Sequence, residues 1–496
     1  MPGITRLLPV AVFLCASIPA VLYDYHIFQL NSYEIKTQVK WLARNWLRGY
    51  LLRHILVFYY CLKPHRAKKP LVYTPRLKRM LVTHGLLTAV GIGLFLPRTG
   101  FIPGGLLLLG GLFFLSPALA LLSNMINAPL EGAIKRWYIA DAQRILRKIP
   151  RLTVIGVTGS YGKTSTKYFL SRLLASKYNV LMTPESYNTP MGVVKTIRTR
   201  LKPIHEIFVC EMGAKKIGEI KEICDIVFPA CGIITSIGPQ HLETFKSLEN
   251  IISTKFELAR ALPEGGVIFL NYENEYVRTA PCSQKRLSYG RTAAGCHYLA
   301  RNIRVSGVGS AFDLTLSGGR EYHFETKLLG LHQVENITGA IAVADYLGVA
   351  GEELVVAVRR LQSVPHRLEL LRRNGLTIID DSYNANVSGT RAALEVLGMF
   401  DGLKILVTPG MIELGDAEDQ YNRQFGAAAA AVCDYVILVG ARQTRSILAG
   451  LKSAAYPEEK IYIVQNPREA FEKIDTIPER GFPKVVLLEN DLPDNY

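Results

Sequence analysis

The sequence predicts an α/β fold, with two domains built on mainly parallel sheets behind a helical N-terminal part. Three observations carry this reading. Beyond Leu152, short uninterrupted apolar runs alternate with helical patterns, as in parallel strands covered on both faces. One run passes into a helix through a glycine-rich turn, Val157-Thr158-Gly159-Ser160-Tyr161-Gly162-Lys163-Thr164-Ser165-Thr166. Ahead of these, three long apolar stretches sit among basic residues.

The chain has 496 residues, room for about three domains. Its formal net charge is +16, and the segment 1–150 alone holds 19 Lys and Arg against 4 Asp and Glu. The charge excess therefore belongs to the N-terminal part, and the rest is close to neutral. No basic stripe with interleaved aromatics flanks the glycine turn, which argues against nucleic acid as a partner. The eight cysteines (Cys15, Cys61, Cys210, Cys224, Cys231, Cys282, Cys296 and Cys433) are scattered and form no C-x-x-C pair. They read as reduced, mostly buried thiols of an intracellular protein.

In chain order, Leu7–Tyr23 is apolar without a charge until Asp24, and reads as a membrane anchor. Asp24–Arg79 is basic and contains the amphipathic piece Trp41–Leu47, suited to a helix at headgroup level. Met80–Leu96 and Phe101–Leu122 read as two further spans joined by the turn Pro97-Arg98-Thr99-Gly100. The basic segment is expected to stay inside. This places the N-terminus outside and everything after Leu122 in the cytoplasm, so the expected location is a multi-pass cell-membrane protein with cytoplasmic catalytic parts. Ala128–Arg147 follows as a helical connector, with Ile134, Trp137, Tyr138, Ala142 and Ile145 at helical intervals.

The apolar run Leu152–Val157 then leads through the glycine turn into a helix over Thr164–Leu174. Such a joint points backbone N–H groups at the positive end of a helix dipole and forms an anion site. Lys163 adds a mobile charge for the outer phosphates, and Thr164 a hydroxyl for Mg²⁺. Val157 stands where the general phosphate-loop pattern has its first glycine. Further strands are expected at Ile207–Cys210, Cys231–Ser236 and Val267–Asn271, and later at Leu376–Asp380, Leu403–Thr408 and Tyr435–Val439. Polar groups cluster at the C-terminal ends of the runs, where open α/β sheets place their sites. Glu211 follows one of them directly and is a candidate Mg²⁺ carboxylate. His241 and Lys255 come shortly after the next.

From about Arg151 to the end, these motifs together resemble the Mur ligase family, and within it the branch that adds D-alanyl-D-alanine. Gly159, Ser160, Tyr161, Gly162, Lys163, Thr164 and Ser165 fit the family's phosphate loop. The resemblance implies a parallel-sheet P-loop ATPase domain followed by a Rossmann-like α/β domain. It implies Mg²⁺, with two ions expected, held by Thr164, Glu211, His241 and Lys255, the last carbamylated by CO₂. Asn336, in Gly330-Leu331-His332-Gln333-Val334-Glu335-Asn336, would lie near adenine. Arg367, in His366-Arg367-Leu368-Glu369, would reach the phosphates. In Asp380-Asp381-Ser382-Tyr383-Asn384-Ala385-Asn386, Asp381 would face the ribose of the nucleotide or the metal site. Tyr383, Asn384 and Asn386, with Asn188 and Thr189 of Ser186-Tyr187-Asn188-Thr189-Pro190-Met191-Gly192, would face substrate. Lys163, Lys255, His241 and Arg367 form the implied catalytic set. Val387 stands where the branch motif has Pro, and the membrane spans stand where the family has a soluble UDP-binding domain.

The implied reaction is ATP-dependent amide formation in peptidoglycan precursor synthesis. D-Ala-D-Ala is added to a muramyl tripeptide through an acyl phosphate, with the cytoplasmic membrane as a further partner. The alternatives are another ligase of the same chemistry, amidating or polyglutamate- or cyanophycin-like, and a silent nucleotide-binding scaffold tethered to the membrane. The expected domains are 1–149 (membrane region and connector), 150–362 (ATPase) and 363–496 (C-terminal).

Overall fold

The computed structural model describes residues 4–45, 70–95 and 114–490, apart from 186, 293, 294, 374, 384, 413 and 480. Two compact units result, one up to Trp137 and one from Tyr138 onward. In the first unit, α1 (Ile4–Leu30), α2 (Ile35–Asn45), α3 (Pro75–Phe95) and the opening of α4 (Ser116–Arg147) are helical. Tyr25, Phe28, Leu77, Met80 and Ala120 form its small core.

The expectation of three membrane spans, and with it the multi-pass membrane location and the membrane-spanning replacement of a UDP-binding domain, is corrected here. Among the described residues, no helix is long and apolar enough to cross a membrane. The apolar runs share helices with polar groups that satisfy one another. Asp24 Oδ2 accepts from Ser116 Oγ at 2.7 Å, and Tyr25 Oη pairs with His84 Nδ1 at 3.3 Å. Arg79 Nε donates to Glu131 Oε1 at 2.7 Å, and Arg76 Nη2 to Asn124 Oδ1 at 3.0 Å. Residues 96–113, which hold the turn at Arg98 and much of the third expected span, lie outside the described residues, as do Trp46 and Leu47 of the amphipathic piece.

The second unit begins with the end of α4, where Ala142 and Leu146 join a buried core. A seven-stranded sheet follows, in the order β2-β3-β1-β4-β5-β6-β7. Its strands are β1 (Thr153–Thr158), β2 (Val180–Met182), β3 (Ile207–Glu211), β4 (Cys231–Ile234), β5 (Val267–Asn271), β6 (Lys285–Gly290) and β7 (Tyr298–Leu299). All of its pairings are parallel. Alternation along each strand divides the side chains between two cores. Ile155, Ile233 and Phe269 enter one with α5 (Lys163–Leu174). Val154, Ile234 and Ile268 enter the other with Val193 and Ile197 of α6 (Pro190–Arg200). Each fully buried Ile or Phe contributes about 1.5–3 kcal/mol, which explains why continuous apolar runs form these strands.

A three-stranded antiparallel sheet follows, of β8 (Arg301–Ser306), β9 (Gly309–Thr315) and β10 (Glu321–Thr326). Helix α7 (Leu331–Tyr346) returns against α5. The last sheet has the order β11-β12-β16-β13-β14-β15. It is built from β11 (Glu369–Arg373), β12 (Leu376–Asp381), β13 (Leu403–Thr408), β14 (Tyr435–Val439), β15 (Ile461–Val464) and β16 (Lys484–Glu489). Only the β11–β12 pairing in it is antiparallel. Helix α8 (Val387–Gly398) lies against β16. In both large sheets the C-terminal strand ends point toward the expected functional motifs.

Candidate active site

The turn between β1 and α5 needs glycine at two points. Gly159 and Gly162 have φ of 149° and 79°, a region that side chains rarely adopt. A Cβ on Gly162 would also lie 2.5 Å from Asn336 Oδ1, and one on Gly159 would strike Thr235 Oγ1. The loop is braced from the end of β4. Ser160 N and Tyr161 N both donate to Ser236 O, at 2.6 and 3.1 Å. Ser160 Oγ donates to Gly238 O at 3.1 Å, and Tyr161 Oη to Pro239 O at 2.9 Å. Gly162 stands at the N-cap of α5, and Lys163 and Thr164 open the helix. The first N–H groups of a helix have no partner within it. Ser165 is buried in the same turn.

Glu211 closes β3 beside Val157 of β1 and is 1% exposed. Its Oε1 accepts from Thr164 Oγ1 at 3.0 Å and from Asn188 Nδ2 at 3.0 Å. Lys167 Nζ lies 2.9 Å from Oε2 as a buried ion pair. Burial alone would raise the Glu211 pKa. The charges of Lys167 and Lys163 outweigh burial and hold it below the usual carboxylate range. Lys163 folds back to donate to Ser160 O at 2.8 Å. Burial pushes it down to about 8, opposed by Glu211.

Lys255 ends the helix Leu248–Lys255 and is 3% exposed. Burial and then the nearby Lys163 charge push it down to about 7. It lies 6.0 Å from the centre of the Phe245 ring. His241 is half-buried with φ of 53°, at the start of the turn that holds Phe245. Asn336 Oδ1 accepts from Thr166 Oγ1 at 3.3 Å, so Asn336 packs on the phosphate loop.

Arg367 comes from the turn before β11. His366 and Leu368, on either side of it, have φ of 61° and 50°, and the turn is laced to the end of β12. His366 Nδ1 pairs with Asp380 Oδ2 at 2.8 Å, and Leu368 N donates to Asp381 Oδ1 at 3.2 Å. These bonds carry Arg367 to the phosphate loop, where Nη2 donates to Thr164 Oγ1 at 3.3 Å. Its guanidinium stacks 4.3 Å over the Tyr383 ring. Asp381 is pushed up to about 6 by burial, against the Arg367 charge.

Thus Lys163, Thr164, Glu211, Asn188, Arg367 and Tyr383 share one connected site. Thr189 and Asn386 are placed as helix caps, accepting from Gly192 N and Gly389 N. Asn384 lies outside the described residues. Sequence reading missed Lys167, although it follows Lys163 by one helical turn and so shares its face. It also gave no role to Glu489, which ends the apolar run Val485–Leu488 and is fully buried.

The family models described as "Mur ligase middle domain" and "Mur ligase, glutamate ligase domain" match residues 157–344 and 366–488. The UDP-N-acetylmuramoyl-tripeptide--D-alanyl-D-alanine ligase of Bacillus subtilis (strain 168) is 34% identical over 277 residues, 55% of this chain and 59% of that protein. The enzyme of the same name from Escherichia coli (strain K12) is 33% identical over 337 residues, 65% of this chain and 74% of that protein. Among solved structures, MurF from Acinetobacter baumannii superposes with a TM-score of 0.65 at 28% identity, covering 72% of this chain and 77% of that one. MurF ligase from Thermotoga maritima in complex with ADP gives 0.64 at 25% identity, covering 72% and 80%. The chain spans under two thirds of the Bacillus relative and about three quarters of the Escherichia one. The likeness covers the segments that build the phosphate loop, Glu211 and the Arg367 turn, and this chain belongs to the Mur ligase family.

Proposed function

We propose that this chain is an ATP-dependent ligase that joins D-Ala-D-Ala to the carboxylate of a muramyl tripeptide through an acyl phosphate. The observation that carries it is the reach of Arg367 to Thr164, beside Lys163 and Glu211. A carboxylate is a poor acyl donor, and phosphorylation by ATP makes it a good one. Phosphoryl transfer needs in-line positioning and charge neutralisation more than covalent chemistry by the protein. The first-turn N–H groups of α5 are placed for the phosphates, and Lys163 and Arg367 for the charge of the transferred group. The carboxylate oxygen takes the γ-phosphoryl group and ADP leaves. The neutral amine of the dipeptide then attacks the acyl carbon, inorganic phosphate leaves, and the ammonium loses its proton.

The donor set near Glu211 fits a hard cation, since a carboxylate and a hydroxyl stand 3.0 Å apart. Thr164 and Glu211 would hold Mg²⁺, with His241 and carbamylated Lys255 assigned to a second ion. The metal would supply charge neutralisation at the phosphates. Carbamylation needs a neutral amine, and the burial of Lys255 favours that form. Asn336 is assigned to the adenine side, and Asp381 to the ribose. Tyr383, Asn384, Asn386, Asn188 and Thr189 are assigned to the substrate side. We assign 150–362 to the ATP-binding domain and 363–496 to the C-terminal domain, with a UDP-linked tripeptide as donor.

The expected result is ADP release that requires both donor and amine. Across a panel of amines, ammonia, glutamate, D-Ala and D-Ala-D-Ala, the dipeptide supports the fastest release with UDP-muramyl-tripeptide. Faster release with another amine would reject the dipeptide assignment and leave only the ligase class. Donor-independent ATP hydrolysis would reject the ligase as well.

A further inference from the structure

The ends of β12 and β16 place two carboxyl groups side by side. The strands are parallel neighbours, and Asp381 and Glu489 are register partners, so both side chains leave the same face of the sheet. Glu489 is fully buried, and neither of its carboxyl oxygens has a hydrogen-bond partner among the described N–H and O–H donors. The strand end is pinned by its neighbour Asn490. Asn490 N donates to Asp381 O at 3.3 Å, and its side chain bridges Ala385 N and Gly410 O. The group facing Glu489 is the Asp381 carboxyl.

Two adjoining carboxyls, one of them fully buried, do not both ionise. Asp381 has other support: Leu368 N donates to it, and the Arg367 charge is nearby. Asp380 also bears on Asp381 electrostatically, and is itself engaged by His366. Lys484, the other charged residue of β16, sits at the far end of the strand and donates to Ile474 O. Among the described residues Glu489 has no such support, so of the two it is the group that keeps the proton. We propose that Glu489 is a positioning residue for the ligase: as a neutral acid it donates a hydrogen bond to the Asp381 carboxylate, fixing Asp381 with a single charge beside Arg367 at the phosphate loop. The positioning part rests on the assignment of Asp381 to the nucleotide. Burial beside Asp381 pushes Glu489 well above the ordinary carboxylate range, in agreement with the geometry.

The test uses the full chain with Glu489→Gln, Glu489→Leu and Asp381→Asn. The folded protein holds a proton on Glu489 that the unfolded chain releases above the ordinary carboxylate pKa. Wild-type stability therefore falls as pH rises from that value toward the raised one, while Gln does not titrate. The melting temperature of Glu489→Gln minus that of wild type should grow by several degrees between pH 5 and pH 8. A flat difference, or a metal ion retained by wild type and lost by Glu489→Gln, overturns the shared proton. In turnover, Glu489→Gln should keep the wild-type KM for ATP, because its amide can still donate to Asp381. A folded Glu489→Leu should raise that KM by about tenfold, the scale of one lost hydrogen bond to a charged group. An unchanged KM in Glu489→Leu overturns the positioning role. An unchanged KM in Asp381→Asn overturns it through its premise, whatever the pH series shows, so the two failures stay distinct.

Discussion

Replacing Lys163 by alanine is expected to lower ligase turnover by roughly 10³-fold or more, the scale set by removing a preorganised charge from a phosphoryl-transfer site. The Lys163 ammonium is held against Ser160 O and sits in the electrostatic reach of Glu211. A bound triphosphate would draw it outward from that resting place, since the phosphate charge exceeds that of one backbone carbonyl. The fold does not depend on this residue. Glu211 keeps Lys167, Thr164 and Asn188, and the loop keeps its bonds to Ser236. The variant should therefore melt close to wild type while ADP release falls to background. Near-wild-type turnover in a folded Lys163→Ala protein would remove the phosphate loop from the chemistry.

Lys255→Ala is expected to be inactive and to recover part of its rate with formate or acetate. An unmodified ammonium at this buried position would add a second positive charge beside Lys163, and that repulsion helps push Lys255 down to about 7. At pH 7–8 a large share of the amine is thus neutral and able to attack CO₂. The attack forms a C–N bond and releases a proton, turning the neutral amine into a carbamate anion suited to a divalent metal. Wild-type activity should accordingly fall in CO₂-depleted buffer and return with bicarbonate. A Lys255→Ala variant with wild-type activity rejects the assignment. So does one that no carboxylate rescues, if the native enzyme is also indifferent to CO₂.

The parts of the fold that were legible in sequence are those whose burial is symmetric. Val267–Leu270, Ile405–Val407 and Tyr435–Val439 are continuous apolar runs because each faces a core on both sides of its sheet. Strand β8 was not legible, since Arg301–Ser306 alternates between exposed and half-buried residues and carries two arginines. The membrane spans were misread for a different reason. Apolar length is a local signal, but the groups that make those helices pack on one another are paired across the chain, Asp24 with Ser116 and Arg79 with Glu131.

The same division runs through the site. The phosphate loop is contiguous and declares itself through two glycines and a Lys–Thr pair. Its partners come from elsewhere: Arg367, carried to the loop by a backbone turn, was marked by its motif, whereas Lys167 on the buried face of α5 was not. Asn188 was read as a substrate residue, and the structure sets its side chain on Glu211. Only the closing of β3 against β1 and the placement of the loop before α6 bring that pair together.

The central claim is that the donor carboxylate is activated as an acyl phosphate on this chain. The most direct measurement uses UDP-muramyl-tripeptide with ¹⁸O in the reacting carboxylate, together with D-Ala-D-Ala, ATP and Mg²⁺. Attack of that carboxylate on the γ-phosphorus, followed by expulsion of phosphate by the amine, leaves one labelled oxygen in the new amide and passes the other to inorganic phosphate. The account predicts one ¹⁸O per phosphate released, in step with pentapeptide formed. Unlabelled phosphate accompanying product, or phosphate released without product, would contradict it.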